Sequence, residues 1–249
     1  MSGYFFWFSV VFILYTYLGY PLLLSLLNRI RPARKLGPES RAAPEWPPLT
    51  LLIAAYNEED VIAAKLENSL KLEYPTSCLQ ILVAADGSTD RTVEIVRSFR
   101  DRGVELSYSA NRDGKSAAIN RALKAARGDI VVFSDANNFY EPATLEELVS
   151  QFTGPEVAAV TGAKTIAAGD GNLGESEGLY WKYESFLKKQ ETRLGTTTGV
   201  VGEVLAIRRA LIEPIPDHII NDDFYLAMRL IKQGYRVVYT SKARSVERV

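Results

Sequence analysis

Acidic and polar residues follow three apolar runs of this sequence, at the points where those runs end. Asp135-Ala136-Asn137 comes directly after Ile130-Val131-Val132-Phe133-Ser134. A carboxylate at the end of an apolar strand is costly unless it meets a cation or hydrogen-bond donors. An Asp-x-Asn pair on one extended segment can turn both side-chain oxygens to one side, which suits a hard divalent metal ion. Asp135 and Asn137 are therefore predicted metal ligands.

The other two polar clusters have a second explanation in local backbone structure. Ala55-Tyr56-Asn57-Glu58 ends the first apolar run, and Asp86-Gly87-Ser88-Thr89-Asp90 follows the second. Asp-Gly favours a turn, and Ser88 or Thr89 can cap the next helix, as Asn57 or Asp60 can after the first run. Capping does not account for Asp135, so among these acids Asp135 is the strongest candidate for binding a ligand.

A basic segment and a pair of acids each precede a predicted helix. In Asn111-Arg112-Asp113-Gly114-Lys115-Ser116, Gly114 allows close backbone approach and Lys115 lies at a helix start, where anions are favoured. An ordinary exposed turn is the alternative, and the spacing is not that of a phosphate-binding P-loop. Asp222 and Asp223 precede a helix expected over residues 224–233, where one of them can be an N-cap or the pair can supply a general base.

Alternating strands and helices must position these clusters. Apolar runs predict strands at residues 49–55, 79–85, 104–109, 130–134 and 157–163, and amphipathic stretches predict helices at residues 60–70, 90–100, 116–126 and 143–151. This alternation indicates an α/β fold, a mostly parallel sheet with helices on both faces. Ligands bind outside the carboxyl ends of such strands, which is where the polar clusters fall.

The composition restricts the chemistry further. The 249 residues carry a formal net charge of -1, which gives no general attraction for nucleic acid. The single cysteine, Cys78, excludes an internal disulfide, and His218 is the only histidine. Without a Cys/His cluster, a metal ion must be held mainly by oxygen ligands, which indicates Mg²⁺ or Mn²⁺.

The N-terminal part of the chain has a different character. Residues 4–27 contain no charge and are long enough for a transmembrane helix, although a buried core helix or a cleaved signal peptide is an alternative. Five basic residues follow and none precedes, so the positive-inside rule predicts that the N-terminus lies outside and that everything after Arg29 lies in the cytoplasm. The predicted division is a membrane helix (1–30), a basic, proline-rich linker (31–48) and an α/β domain (49–249). The linker either lies over lipid headgroups or is simply solvated.

Taken in order, the motifs resemble those of the family 2 glycosyltransferases, the inverting family that includes cellulose, chitin and hyaluronan synthases. The matching segments are Ala55-Tyr56-Asn57-Glu58, Asp86-Gly-Ser-Thr-Asp90, Gly114-Lys115-Ser-Ala-Ala-Ile-Asn120, Asp135-Ala-Asn137, Gly199-Val-Val-Gly202 and Asp222-Asp223-Phe-Tyr-Leu. The resemblance implies the nucleotide-sugar transferase fold called GT-A.

Residue roles follow from the resemblance. It implies that Ala55, Tyr56 and Glu58 hold the base and ribose, that Asp86 binds the base, typically uracil, and that Lys115 lies near the diphosphate. Asp135 and Asn137 would hold the metal ion, and Asp223, preceded by Asp222, would be the general base. Trp181, Gly199 and Gly202 would lie on the acceptor side, with Trp181 and Tyr183 stacking on sugar rings, although such an aromatic stripe is more often core.

The sequence departs from the family pattern at three places. Asn137 replaces the usual second Asp of the metal motif, which removes one negative charge, and Glu247 is a candidate to compensate. Asp222 replaces the usual Glu. The Gln-x-x-Arg-Trp segment of processive members does not occur before Val249, so the domain is expected to be truncated at its C-terminus.

Two functions of different classes remain open. The first is an inverting transferase that moves a sugar from a nucleotide-sugar, expected to be a UDP-sugar, to a saccharide or lipid acceptor at the bilayer. The second is a catalytically weak, nucleotide-sugar-binding subunit with partners in a membrane polysaccharide-synthesis complex. A nucleotidyltransferase is disfavoured because no glycine-rich basic loop follows the first strand.

Overall fold

Three stretches of the chain are described in the computed structural model, namely residues 2–30, 46–166 and 172–247. Most of the predicted linker, residues 31–45, lies outside these ranges. The side chains of Ser2, Ile166, residues 172–179 and Glu247 lie outside the described part as well.

A single sheet forms the centre of the domain. In the described residues it has eight strands: β1 Leu49–Ala55, β2 Leu79–Asp86, β3 Val104–Ser109, β4 Ile130–Asp135, β5 Asn138–Tyr140, β6 Val157–Ile166, β7 Leu205–Arg208 and β8 Arg236–Glu247. Their order across the sheet is β3-β2-β1-β4-β7-β6-β8-β5.

The helices alternate with these strands through most of the chain. They are α1 Ser2–Leu14, α2 Tyr20–Ile30, α3 Ile62–Leu70, α4 Thr92–Ser98, α5 Lys115–Leu123, α6 Thr144–Val149, α7 Asn172–Leu194 and α8 Asp222–Lys232. A π-helical segment, Tyr15–Gly19, joins α1 to α2. The helices and strands predicted from the sequence are all present, with boundaries shifted by a few residues.

The parallel half of the sheet sets the carboxyl ends of its strands side by side. β1 pairs in parallel with β2 and with β4, and β2 pairs in parallel with β3. The register places Ala54 opposite Asp135 and Ala55 opposite Ala85. Because both faces of these strands are covered, their sequences are almost continuously apolar. The register therefore brings the three polar clusters to one edge.

The other half of the sheet is mixed. β7 runs antiparallel to both β4 and β6, β5 runs antiparallel to β8, and only β6 and β8 pair in parallel. The sheet is thus an α/β sheet with helices on both faces, as predicted, and its antiparallel strands lie in the second half. β5 and β7 have only three and four residues, too few for a readable apolar pattern.

Two apolar cores cover the two faces of the sheet. One packs α3, α4 and α6 against it, with Ile62, Val96 and Leu145 among the buried side chains. The other packs α5 and α8 against the opposite face, with Ile119 and Leu226 buried. The starts of α5 and α8 are thereby held near the carboxyl ends of β1 and β4.

The N-terminal helix is long and apolar enough to cross a membrane, as judged by length and composition over Gly3–Ile30. Its side chains are largely exposed, which disfavours a buried core helix, whereas a signal sequence passes the same test. The hydroxyls of Ser9, Thr16 and Ser25 donate to backbone carbonyls four residues earlier, which satisfies these polar groups within the helix.

The C-terminal part of α7 packs along this helix. The Tyr20 hydroxyl donates to Glu191 Oε1 at 2.6 Å, and Asn28 Nδ2 donates to the Gln190 carbonyl at 3.0 Å. The Tyr183 hydroxyl donates to the backbone carbonyl of Tyr17 at 3.2 Å. Tyr183 is therefore occupied by a contact to the apolar helix, contrary to the expectation that it stacks on a sugar.

Candidate active site

Lys115 lies at the centre of the polar edge of the sheet. From the first turn of α5, its Nζ donates to Asp135 Oδ1 at 3.0 Å and lies 4.0 Å from Asp222 Oδ2. Burial disfavours the charged form of Lys115, but Asp135 and Asp222 outweigh burial and raise its pKa. Lys115 therefore carries a stable positive charge between the C-terminal end of β4 and the N-terminal end of α8.

One cavity gathers all of the predicted nucleotide and metal residues. It has a volume of about 370 Å³. The predicted residues that line it are Ala55, Tyr56, Glu58, Asp86, Lys115, Asp135 and Asn137. We refer to it as the donor cavity.

Arg112 also lines the donor cavity, although the sequence interpretation assigned it no role. Its guanidinium lies 3.9 Å from the centre of the Tyr56 ring, and Nη1 donates to the Tyr56 hydroxyl at 3.0 Å. The pair is a flat, cationic surface of a kind that can contact a base or a phosphate. The only sequence signal was the position of Arg112 in the basic segment before Lys115.

Asp86 has structural partners as well as a place in the cavity. Its buried carboxylate accepts the Gly114 backbone N–H at 2.7 Å and lies 3.4 Å from Arg121 Nη1. Gly114 has a φ of 97°, which a residue with a side chain rarely adopts. Asp86 thus holds the turn that presents Lys115, and its role in binding the base stays a prediction.

Helix capping was the alternative explanation for the polar residues in this region, and Asp90 takes that role. Asp90 Oδ1 accepts the Thr92 backbone N–H and Oδ2 accepts the Glu59 backbone N–H, each at 3.0 Å. Asn57 Oδ1 accepts the Thr89 backbone N–H at 2.9 Å. Asn57 and Asp90 therefore connect the two loops, and neither Ser88 nor Thr89 takes the expected capping role.

A second cavity, of about 110 Å³, lies beside the first and shares Lys115 and Asp135 with it. Asp222, Asp223, Gly202 and Glu203 also line it. We refer to it as the acid cavity. Glu203 was not among the predicted site residues, because a single Glu between apolar residues is typical of an exposed loop.

Asp223 has the properties of a carboxylate that can accept a proton. Burial raises its pKa, and neighbouring Asp222 raises it further, against the effect of the Phe224 backbone N–H. Asn221 occupies the N-cap position of α8, where its Oδ1 accepts the Phe224 N–H at 3.1 Å. Because Asn221 supplies the cap, helix capping does not by itself explain the two acids.

The three predicted acceptor-side residues are not brought together. Gly202 lines the acid cavity, against the carboxylate of Asp223. Gly199 lies against the aliphatic part of Lys188, and Trp181 packs edge-on to Tyr180 at 5.5 Å on α7. Neither Trp181 nor Gly199 is among the described residues that line the two cavities.

The donor cavity offers oxygen ligands for a metal ion but no closed protein site. Among the residues that the structure describes, no group of three or more His, Cys, Asp or Glu side chains could hold an ion. Mg²⁺ is commonly held by one or two carboxylates together with substrate phosphates and water. Asp135 and Asn137 fit that pattern, in which the substrate completes the site.

The fold and the family match described next identify the chain as a nucleotide-sugar transferase with the GT-A fold. Residues 50–215 match the family described as Glycosyl transferase family 2, and the chain belongs to that family. The family resemblance inferred from the motifs is confirmed.

Known proteins agree with this assignment. The chain is 27% identical over 198 residues to a poly-β-1,6-N-acetyl-D-glucosamine synthase of Staphylococcus aureus, a match that covers 77% of this chain and 47% of the relative. It thus spans about half the length of that relative.

Two solved structures share the fold. The mannosyltransferase PcManGT from Pyrobaculum calidifontis, in complex with GDP-Man and Mn²⁺, has a TM-score of 0.77 and 26% identity over 95% of this chain and 67% of that one. TarS 1–349 of S. aureus, in complex with UDP, has a TM-score of 0.63 and 20% identity over 81% and 60% of the two chains. The identity to TarS supports the fold alone.

Proposed function

We propose that this chain catalyses inverting transfer of a sugar from a UDP-sugar to a saccharide or lipid acceptor at a membrane. The observation that carries the proposal is the junction of the two cavities at Lys115 and Asp135. One cavity holds the predicted donor residues, and the other holds Asp223, a carboxylate with a raised pKa. A donor and an acceptor hydroxyl can therefore meet between them.

The donor cavity is suited to a nucleoside diphosphate. Arg112 on Tyr56 offers a cationic surface to this cavity, and Lys115 adds a positive charge at the helix start. The volume of about 370 Å³ is within the usual range for small-ligand sites. PcManGT was solved with GDP-Man and TarS with UDP, and both of these ligands contain a nucleoside diphosphate.

Asp135 and Asn137 would hold a divalent ion together with the diphosphate oxygens. When bound, the ion neutralises charge that develops on the departing diphosphate. PcManGT was solved with Mn²⁺, which supports Mn²⁺ or Mg²⁺ as the cofactor. The strand register pairs the backbone of Glu247 with that of Asn138, beside Asn137, which supports Glu247 as a candidate second acid of the site besides Asp135.

Asp223 would act as the general base. Its carboxylate takes the proton of the acceptor hydroxyl while that oxygen attacks the anomeric carbon from the face opposite the leaving group. The bond between the anomeric carbon and the phosphate oxygen breaks, and its electron pair leaves with UDP. Lys115 Nζ, between the two cavities, stabilises the negative charge on the departing phosphate.

The N-terminal helix supports a reaction at the membrane. Its contacts with α7, through Tyr20 and Asn28, hold the helix against the transferase domain. If this helix spans the bilayer, the positive residues after it place the domain on the cytoplasmic side. A membrane-bound acceptor or growing polymer would then be close to the site.

The proposal is tested by UDP binding and UDP release. Calorimetric titration of UDP should show at least tenfold higher affinity with Mn²⁺ than with EDTA, because Asp135 and the diphosphate would hold the ion together and it would offset their negative charge. Release of UDP or GDP from a panel of UDP-sugars and GDP-mannose, with oligosaccharide and lipid acceptors, would identify the donor. Equal affinity with and without Mn²⁺ would contradict the metal site. Metal-dependent binding without turnover would favour the binding-subunit alternative.

Replacing Gly202 with alanine should lower kcat about 10- to 100-fold, because displacement of a reacting group by about 1 Å has effects of this size. A Cβ atom on Gly202 would stand 2.8 Å from Asp223 Cγ and still closer to its Oδ2. The affinity for UDP should not change. Gly195→Ala is the matched control, since a Cβ there meets nothing within 4 Å. An unchanged kcat in Gly202→Ala would show that the position of Asp223 is not critical.

A further inference from the structure

Lys65 is a lysine with no access to solvent. It lies on α3 with 0% of its surface exposed, beneath the connection from β4 to β5. Lysine side chains ordinarily keep their ammonium in water, and burial of the charge is costly unless the group is hydrogen-bonded. Burial lowers the pKa of Lys65 to about 7, while Asp135 and Glu203 act in the opposite direction. A buried amine in this place therefore needs an explanation.

The ammonium contacts both ends of the proposed metal-binding segment. Its Nζ donates to Ser134 Oγ at 2.7 Å and to the backbone carbonyl of Asn138. Ser134 directly precedes Asp135, and Asn138 directly follows Asn137. Lys65 thus bridges the residues on either side of Asp135-Ala136-Asn137.

Tyr140 closes the other side of the Lys65 site. The ammonium lies 4.4 Å from the centre of the Tyr140 ring, and the Tyr140 hydroxyl lies 3.0 Å from the Phe133 carbonyl and 2.6 Å from the Glu203 carbonyl. These contacts hold β4 against the loop that carries Glu203. Lys65 itself is not among the residues that line either cavity in the described part of the chain.

We propose that Lys65 is a positioning residue of the donor site: its ammonium holds residues 134–138 so that Asp135 and Asn137 face the donor cavity. The inference rests on the proposed function, because it assigns Lys65 an effect on metal-dependent nucleotide binding. It does not make Lys65 a catalytic residue, since the ammonium acts through the segment and not on the substrate.

The test is the Mn²⁺ concentration that gives half-maximal UDP binding, measured by titration of the full chain with UDP. Lys65→Met keeps a long unbranched side chain without the ammonium. We expect it to raise the half-saturating Mn²⁺ concentration about 10-fold or more, as loss of groups that orient metal ligands does. Acceptor KM should be unchanged. Ser69→Ala, a buried polar position one turn further along α3, is the matched control and should leave the value unchanged.

Ser134→Ala gives an independent answer if Lys65→Met fails to fold. It removes one acceptor of the ammonium without changing any charge, and a shift of about threefold in the same direction is expected for loss of one hydrogen bond. An unchanged Mn²⁺ requirement in Ser134→Ala and in folded Lys65→Met would overturn the proposal. Tighter Mn²⁺ binding in Lys65→Met would overturn the proposal too. It would show that repulsion between the Lys65 ammonium and the ion outweighs any positioning of residues 134–138.

Measurements on the parent chain distinguish failure of the Lys65 proposal from failure of the proposed function. A parent whose UDP affinity responds to Mn²⁺, with variants that do not differ from it, contradicts only the role of Lys65. A parent with no response to Mn²⁺ contradicts the proposed function and the Lys65 proposal together.

Discussion

Asp223→Asn is expected to lower kcat for sugar transfer about 10²- to 10⁴-fold, the usual contribution of a general base. Asparagine keeps the size of the side chain and can still accept the Phe224 backbone N–H, but it cannot take the acceptor proton. Affinity for UDP should not change, because Asp223 lines the acid cavity and not the donor cavity. The measurement is UDP release at saturating donor and acceptor, with UDP titration in parallel.

Asp101→Asn is the control for this variant, since Asp101 is exposed in the turn Arg100–Arg102, outside both cavities. Asp222→Asn should have a smaller effect than Asp223→Asn, because Asp222 contributes mainly through Lys115, 4.0 Å away. Full activity in Asp223→Asn would show that Asp223 is not the base. An equal loss in both variants would assign the role to the pair instead.

The raised pKa of Asp223 also predicts how stability depends on pH. Because burial raises the folded-state pKa above the unfolded value, stability falls as the pH rises from the unfolded-state to the folded-state pKa, and the full cost of the ionised carboxylate is present above that. Asp223→Asn should therefore have a Tm at or above that of the parent at neutral pH. The difference should shrink as the pH falls and Asp223 protonates. The acid side of the kcat profile should lie at higher pH than for an ordinary aspartate.

Asp135→Asn is expected to abolish the Mn²⁺ dependence of UDP binding and to lower kcat about 10²- to 10³-fold, since a bound metal ion contributes several kcal/mol of charge stabilisation. The variant also deprives Lys115 of the acid that accepts from it at 3.0 Å, leaving Asp222 at 4.0 Å. UDP titration with Mn²⁺ and with EDTA measures the first effect, and UDP release measures the second.

Asn137→Asp is the opposing variant, because it adds a carboxylate beside the remaining ligand. It should lower the Mn²⁺ concentration required for half-maximal UDP binding, whereas Asp135→Asn removes the requirement. Retention of the Mn²⁺ response in Asp135→Asn would place the ion elsewhere. No change in Asn137→Asp would show that Asn137 does not face the ion.

The strand ends of the donor site could be read from the sequence. Buried parallel strands are almost continuously apolar, so β1, β2 and β4 were recognisable, and their carboxyl ends had to meet at one edge. Asp135 stood out because an acid that ends such a strand needs a partner. Lys115, at the start of α5, is that partner in the structure. The order of the motifs along the chain then indicated the family.

Contacts between distant segments were decided only by the tertiary structure. Arg112 meets Tyr56 across 56 positions of the chain, and Lys65 reaches Asn138 across 73. The sequence pattern predicts that a lysine on an amphipathic helix faces solvent. Its burial depends on which segment packs over it, and that is a property of the tertiary structure. Tyr183 was likewise predicted to contact a sugar, whereas in the structure its hydroxyl contacts the N-terminal helix that packs against α7.

The sequence by itself therefore determined the α/β fold, the family and the residues at the carboxyl ends of the strands, because periodicity and motif order are local properties. The tertiary structure decided that Lys115 joins the donor and acid cavities, that Asp90 and Asn221 take the capping roles, and that Asp223 is half-buried with a raised pKa. Those properties depend on burial and on the distances between charges, which arise only when the helices pack on the sheet.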